Sequence, residues 1–422
     1  MFHLIKIAMK SKNVFAILLM ALAVTALVFQ SCKKEDPELT LAELKSGTID
    51  LNGATAPTNV PVMPTIVATF STDVDPATAV AANIKMKQDY NNTDIELDIT
   101  ASGKTITIKP KANLGTGTLY KLSFSGAIMS NKQKPLTALE RTFTTEGTFA
   151  PAGAIAHWKF ENNANDNAGS FNPAAAGVVG ITYVNSRNTA AGKAASFNGT
   201  TSIIEIPNGD QLINTKNFTV SFWVKAQPQD KGHFVMGLGA FYGLQFEIFG
   251  GLDGAKFAIR YELADGTTAS EDMWFPSNAT FNANGGWQGW DFAKSIAPAD
   301  YVAMVSNKWL MVTYTYNGDA KKGTLYYNGE KMKSFDFNLW PDGDVKRGVK
   351  GMKWGGQMPD VKNELAFGFI QSRAGSMWAN EPWGGYQFPG ANHFKGELDD
   401  VRFYHKVLTP AEINLMYQSE KP

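Results

Sequence analysis

The chain has 422 residues, 39 basic and 39 acidic side chains, 44% hydrophobic residues, one cysteine and ten tryptophans. The length suits two to three domains. Zero formal charge argues against a nucleic-acid binder, which needs a basic excess, and one cysteine excludes an intramolecular disulfide or a cysteine-type zinc site. Charged residues at 18% with 39 glycines describe a β-rich chain with many turns, not a disordered one.

Residues 1–31 read as a signal peptide. Lys6, Lys10 and Lys12, with no acid, precede an apolar run over 14–29, and Gln30 and Ser31 lead to Cys32. The run is short for a spanning helix. The arrangement resembles a bacterial lipoprotein signal, in which the cysteine is lipidated and becomes the new N-terminus. Phe29 and Gln30 depart from the usual leucine and small residue before that cysteine. An ordinary secretory signal is the alternative. Acyl chains, at about 0.8 kcal/mol per buried CH₂, anchor a protein without a spanning helix. Residues 32–37 form a tether. Its Lys33-Lys34-Glu35-Asp36 string resembles the signal that sends lipoproteins to the outer face in glycan-degrading Gram-negative bacteria, which implies an outer-membrane, cell-surface location. Removing residues 1–31 leaves 36 basic residues against 39 acidic ones.

Residues 38–147 form a first β domain. Alternating or β-branched runs at 65–70, 84–87, 105–109, 119–124 and 141–145, separated by turn residues, read as a β-sandwich. The order Phe70-Ser71, Val74-Asp75-Pro76-Ala77-Thr78, Asn83-Ile84, Thr105 to Pro110, Gly117-Thr118 and Phe143-Thr144-Thr145 resembles bacterial Ig-like domains. The resemblance implies a spacer. Asp73 and Asp75 read as turn caps in preference to a metal loop.

Residues 148–153 are a linker. The second β domain, 154–419, is too long for an Ig unit and reads as a two-sheet jelly roll with long loops. Asn328-Gly329 between two apolar runs marks a hairpin. Several blocks together resemble the laminin-G-like branch of the concanavalin A-like lectin/glucanase family. They are Ala156-His-Trp-Lys-Phe-Glu161, Asn165-Asp166-Asn167, Gly192 to Gly199, Phe218 to Val224, Tyr316-Asn-Gly318, Leu325 to Glu330, and Phe394 to Tyr404 with Leu408 to Ile413. Thr409, Pro410 and Glu412 form a capping box on a short helix.

The resemblance implies a structural calcium ion between an early loop and the last strands, which maps onto Asp166 and Asp399. The alternative is that Asp166 caps a turn and Asp399 pairs with an arginine or lysine. Strict alternation places Asp399 on the side of Val401 and Phe403, with Leu398 and Tyr404 opposite, so its facing stays open.

All ten tryptophans lie at or after residue 158. Trp158, Trp223 and Trp309 fall on expected strands and read as core. Trp274, Trp287, Trp290, Trp340, Trp354, Trp378 and Trp383 fall in Gly-, Asn- and Pro-rich insertions. Flat aromatic faces stack on sugar rings, and nearby polar side chains such as Arg373 bond hydroxyls. Trp287, Trp290 and Trp383 are the leading platforms because glycines flank them. The glucanase pattern Glu-x-Asp-x-x-Glu finds only Glu397-Leu-Asp399-Asp-Val-Arg402, with arginine at the second glutamate. The expectation is therefore a non-enzymatic surface lipoprotein that binds a poly- or oligosaccharide beside an outer-membrane glycan importer. A glycoside hydrolase and a protein-binding adhesin are the alternatives.

Overall fold

The computed structural model describes residues 36–53, 55–276 and 289–422. They form two compact units. One runs to Leu114 and through Thr118–Gly147, and the other comprises Gly115–Gly117 and Thr148–Pro422. The signal segment and Cys32 lie outside the described residues. Among the described residues no helix is long and apolar enough to cross a membrane.

The first unit is an antiparallel sandwich. One sheet runs in the order Ile49–Asp50, Leu41–Ser46, Ile66–Phe70, Thr105–Pro110 and Leu97–Ser102. The other runs Asp94–Ile95, Ile84–Gln88, Leu119–Phe124 and Leu139–Thr144. Alternation explains the strands: Ile66, Ala68, Phe70, Ile106, Ile108, Tyr120, Leu122 and Phe124 all enter one core. Phe70 meets Phe124 edge to face at 6.3 Å. Asp75 caps the following turn, its Oδ1 accepting from the Ala77 N–H at 3.0 Å.

The second unit is a larger two-sheet sandwich. A nine-stranded sheet runs Thr182–Asn185, Lys193–Asn198, Lys395–Tyr404, Asn217–Ala226, Leu310–Asn317, Lys322–Tyr327, Glu330–Asp336 and Trp290–Ala293. Ala156–Trp158 also pairs with Lys395–Tyr404. An eight-stranded sheet runs Val178–Val179, Ile203–Ile206, Leu365–Phe367, His233–Gly237, Leu244–Ile248, Ala255–Glu262 and Thr268–Phe275, with Gly351–Met352 beside Ala255–Glu262. The core between them includes Trp158, Phe222, Phe246, Phe257, Tyr314, Phe367 and Phe403. The Asn328-Gly329 turn has positive φ at both residues, 51° and 79°, as a two-residue hairpin of this type requires.

The strand Lys395–Tyr404 does not alternate strictly. Its pairing with Asn217–Ala226 shifts register between Ser221 and Trp223, which face Arg402 and Asp399 respectively. Asp400, at φ 46°, is the extra residue. The bulge puts Leu398, Val401 and Phe403 all in the core, and leaves Asp399 and Arg402 together on the outer face. This corrects the alternating reading that grouped Asp399 with Val401 and Phe403.

The helix Pro410–Glu420 covers part of that outer face. Thr409 Oγ1 accepts from the Glu412 N–H at 3.2 Å, and the Glu412 carboxylate accepts from the Thr409 N–H at 2.8 Å. Ile413 and Met416 are buried, and Tyr417 stacks on Trp223 at 6.0 Å.

Candidate functional site

The tryptophans divide between packing and exposure. Trp158 and Trp223 are buried in the second unit. Trp309 is half-buried and stands one residue ahead of its strand, so it is not the strand residue expected. Trp290, Trp340 and Trp354 pack against the main core. This corrects the picture of Trp290 as an open platform, because Lys333 lies over its ring at 4.5 Å. Burial pulls the Lys333 ammonium down to about 8. Lys346 lies over Trp340 at 4.2 Å. Trp354 packs where Gly239, at φ 57°, leaves room; a Cβ there would stand 2.8 Å from the Trp354 ring. Trp287 lies outside the described residues. Trp274 and Trp383 remain open, 40% and 41% exposed.

These two exposed indoles belong to two separate sets of contacts beside the strand Ala255–Glu262 of the eight-stranded sheet. Along Ala255–Glu262 the odd residues from Phe257 to Tyr261 enter the core, while Lys256 and Arg260 point outward. The two lie about 13 Å apart along the strand. At the Lys256 end, the Trp274 ring meets Phe249 at 5.2 Å, and Lys256 stands 5.5 Å over it. The Lys256 ammonium also lies 3.7 Å from Glu247 and 3.8 Å from Asp272. Burial lifts the Glu247 carboxyl above the usual range, against the pull of Lys256. Gln245 donates to Glu247, and Gln245 and Ala258 between the two ends are buried.

At the Arg260 end the guanidinium stacks over Tyr242 at 5.3 Å. Tyr242 stacks on Phe241 at 4.6 Å, Phe241 meets Trp378 at 5.9 Å, and Trp378 meets Trp383 at 4.8 Å. Phe241 and Tyr242 belong to the short turn Ala240–Tyr242. Trp378 and Trp383 belong to the loop 371–393. The result is a run of four aromatic side chains, half-buried or exposed, with a cation at one end.

The loop is held rigidly from below. His393 Nε2 donates to the Tyr386 carbonyl at 2.8 Å, and its ring lies 4.5 Å from Phe369. The Tyr386 hydroxyl donates to the Thr201 carbonyl. The His233 Nδ1 and the His393 carbonyl both accept from Gln229 Nε2, at 3.3 and 3.0 Å. Burial drives both imidazoles down to about 4. Arg373 is exposed, but its guanidinium is engaged: Nε and Nη2 donate to Glu205 Oε2 at 3.1 and 2.6 Å, and Nη2 to the Ala176 carbonyl at 2.6 Å. With Glu364, Ser372 and Pro207 this pair lines a cleft of about 400 Å³. Arg373 therefore anchors the loop and borders a cleft, which is less free than a hydroxyl-binding arginine was expected to be.

Asp166 and Asp399 do not fit a bridging calcium ion. Asp166 caps its own turn: Oδ1 accepts from the His157 and Ala168 N–H groups at 2.8 and 2.9 Å, and Oδ2 from Phe171 at 3.1 Å. Asp399 is an arginine partner. Its Oδ2 accepts from Arg187 Nη1 at 2.6 Å and from the Ser186 hydroxyl, and its Oδ1 accepts from the Asp400 N–H at 2.7 Å. A guanidinium in contact with the carboxylate repels a dication. Among the described residues no group of three or more His, Cys, Asp or Glu is placed to hold a metal ion.

Arg187 centres a buried charge network that single-residue reading did not find. Its Nη2 reaches Asp400 at 2.5 Å and Glu420 at 3.4 Å, and its guanidinium lies 4.7 Å over Trp223. Arg402 pairs with Asp400 at 3.0 Å and Glu420 at 2.8 Å. Three carboxyls thus face two guanidiniums. Burial, then the neighbouring Asp400, pushes the Asp399 carboxyl upward, against the pull of Arg187 and the Ser186 hydroxyl. Burial also acts on Asp400, but Arg402, the His157 hydrogen bond and Arg187 hold it well below the carboxylate range. In the glucanase-like string, Glu397 pairs with Lys225 at 2.9 Å and Asp399 with Arg187. Neither carboxylate is disposed as an acid–base pair.

Phe241, Tyr242, Lys256 and Arg260 also escaped the sequence reading. The available signal was the doublet Phe241-Tyr242 between Gly239 and Gly243, a turn carrying two large aromatics.

Comparisons with known proteins agree with this architecture. Residues 49–145 match the bacterial Ig-like domain, and residues 198–349 match the concanavalin A-like lectin/glucanases superfamily. No curated protein matches the chain. Among solved structures, the chain is similar to the botulinum neurotoxin type G receptor binding domain, at 12% identity and TM-score 0.36, covering 63% of this chain and 51% of that one. It is also similar to the binding domain of Paraclostridial Mosquitocidal Protein 1, at 17% identity and TM-score 0.40, covering 63% and 52%. A third is the botulinum neurotoxin serotype D ligand binding domain in complex with N-acetylneuraminic acid, at 15% and 0.38, covering 64% and 51%. The chain spans about half the length of each of these structures. Likeness at this level carries no argument about ligands. The chain carries a bacterial Ig-like domain followed by a domain of the concanavalin A-like lectin/glucanases superfamily.

Proposed function

We propose that this protein is a cell-surface lipoprotein that captures poly- or oligosaccharide through its C-terminal domain. The observation that carries the reading is the run Tyr242, Phe241, Trp378 and Trp383 on the outer face of a lectin-type sandwich. Aromatic rings offer apolar faces to the C–H faces of sugars, and Arg260, Glu247 and Lys256 on the same sheet face offer hydroxyl partners. Cys32 is the lipid attachment point, residues 32–37 are the tether, and the Ig-like domain is the spacer. The handover partner is an outer-membrane glycan importer.

Calorimetry of the protein against a panel of neutral and acidic polysaccharides tests the reading. Covering an indole face of this kind contributes about 1.5–3 kcal/mol, so Trp378→Ala with Trp383→Ala weakens binding tenfold or more, roughly. Failure to bind any glycan, or binding indifferent to both substitutions, refutes it. The anchor is tested separately: Cys32→Ala releases the protein from the membrane fraction, and metabolic acyl labelling is lost.

A further inference from the structure

Three segments, 214–216, 318–321 and 348–353, converge on a cleft of about 890 Å³ in the C-terminal unit. None of its lining residues belongs to the aromatic run. The segments are locked by backbone pairing. Met352 N–H donates to the Thr215 carbonyl at 2.8 Å, Thr215 N–H returns the bond at 3.2 Å, and Lys350 N–H donates to the Glu262 carbonyl at 2.9 Å. Their close approach requires glycine. A Cβ on Gly318 would stand 2.5 Å from the Lys216 carbonyl oxygen and 2.6 Å from that of Lys350. A Cβ on Gly351 would stand 2.7 Å from the Thr215 carbonyl oxygen.

Beneath the cleft, Val349 and Met352 are buried in the sandwich core. The rim of the cleft is cationic: Lys216, Lys321, Lys350 and Lys353 all line it, with Glu262 as the acid among them. Glu262 pairs with Lys353 at 3.2 Å. Asp319 pairs with Lys216 from outside the lining, and Asp265 lies in the field of Lys350. The Lys321 ammonium donates to the Arg347 carbonyl, a neutral acceptor. Four ammonium groups around a ligand-sized cleft form a clamp for a negatively charged group.

We propose that this cleft is a second binding site, selective for saccharides that carry sulfate ester or carboxylate groups. The lysines hold the anionic group. The saccharide part rests on the glycan-capture reading above; the anion part rests on the lysines alone.

The test is calorimetry on the intact protein with four probes: a sulfated oligosaccharide, an oligouronate of the same length, a neutral oligosaccharide and inorganic sulfate. At least one acidic oligosaccharide binds, and its affinity falls as salt rises through the range in which the Debye length shrinks from about 10 to 3 Å. Lys216→Gln with Lys350→Gln, both exposed positions, weakens it roughly tenfold or more with unchanged melting temperature and unchanged neutral-sugar binding. The sulfated and uronate arms separate the two sources of charge. Acidic-sugar affinity that survives the lysine substitutions overturns the inference, as does a protein that binds neither acidic oligosaccharide nor sulfate. If Trp378→Ala with Trp383→Ala still abolishes neutral binding in that case, only the second site fails. If those substitutions change nothing while sulfate binding depends on the lysines, it is the aromatic reading that fails.

Discussion

Replacing Arg187 with methionine keeps most of the side-chain volume and deletes one charge from a site where it is 2% exposed. The loss falls on three acids at once. Asp399 loses a partner at 2.6 Å, Asp400 one at 2.5 Å and Glu420 one at 3.4 Å, together with the bond from Nε to the Glu420 carbonyl at 2.8 Å. Arg402 remains and pairs with Asp400 and Glu420, so Asp399 is the carboxyl left without a cation. Breaking a buried pair by removing one partner costs about 3–5 kcal/mol, because the other charge stays buried. In a domain of this size each kcal/mol shifts the melting temperature by about 2–4 °C, so the C-terminal transition falls by about 6–20 °C. Differential scanning calorimetry measures it. Adding Asp399→Leu to Arg187→Met recovers part of the loss, since the orphaned carboxyl is gone. A fall of under about 2 °C for the single variant would refute the reasoning, because it would mean that the three acids are solvated.

Three further outcomes are expected. His233 and His393 titrate near 4 in the fold against 6.5 for the free side chain. Folding favours their neutral forms, so their contribution is intact above about pH 6.5 and is lost as pH falls toward 4, at roughly 3 kcal/mol each. Glycan affinity and melting temperature therefore drop together between pH 6.5 and 4.5; a flat melting temperature over that window counts against it. Gly237→Ala forces a methyl into the Ile370 carbonyl, which is backbone and cannot yield cheaply, and lowers stability by about 1–3 kcal/mol in urea titration. A chelator leaves the melting temperature unchanged, because Asp166 and Asp399 are engaged by N–H groups and Arg187; a clear drop would restore the calcium expectation.

The fold was legible because its signals are local. Alternation in 105–110 and 119–124, the Asn328-Gly329 turn and the Thr409 capping box each depend on a few neighbouring residues. The bulge at Asp400 was legible in part. Leu398 and Val401 are three apart and both apolar, which strict alternation cannot bury on one side, and only an extra residue reconciles them. The site was less legible. Glycine neighbours marked Trp290 as open, yet Lys333 from the next strand covers it. Arg373 looked free for a ligand, yet Glu205 is 168 residues away in sequence and adjacent in space.

By itself the sequence determined two β domains in order, the charged and apolar segments before Cys32, and the concentration of tryptophan in the second domain. Periodicity, turn chemistry and composition are properties of short stretches of chain. Tertiary structure alone decided which indoles remain open, that Phe241 and Tyr242 join Trp378 and Trp383, and that Asp399 belongs to Arg187. Each of these depends on side chains brought together by sheet register and loop packing. No window along the chain contains both partners, so only the folded sandwich sets them side by side.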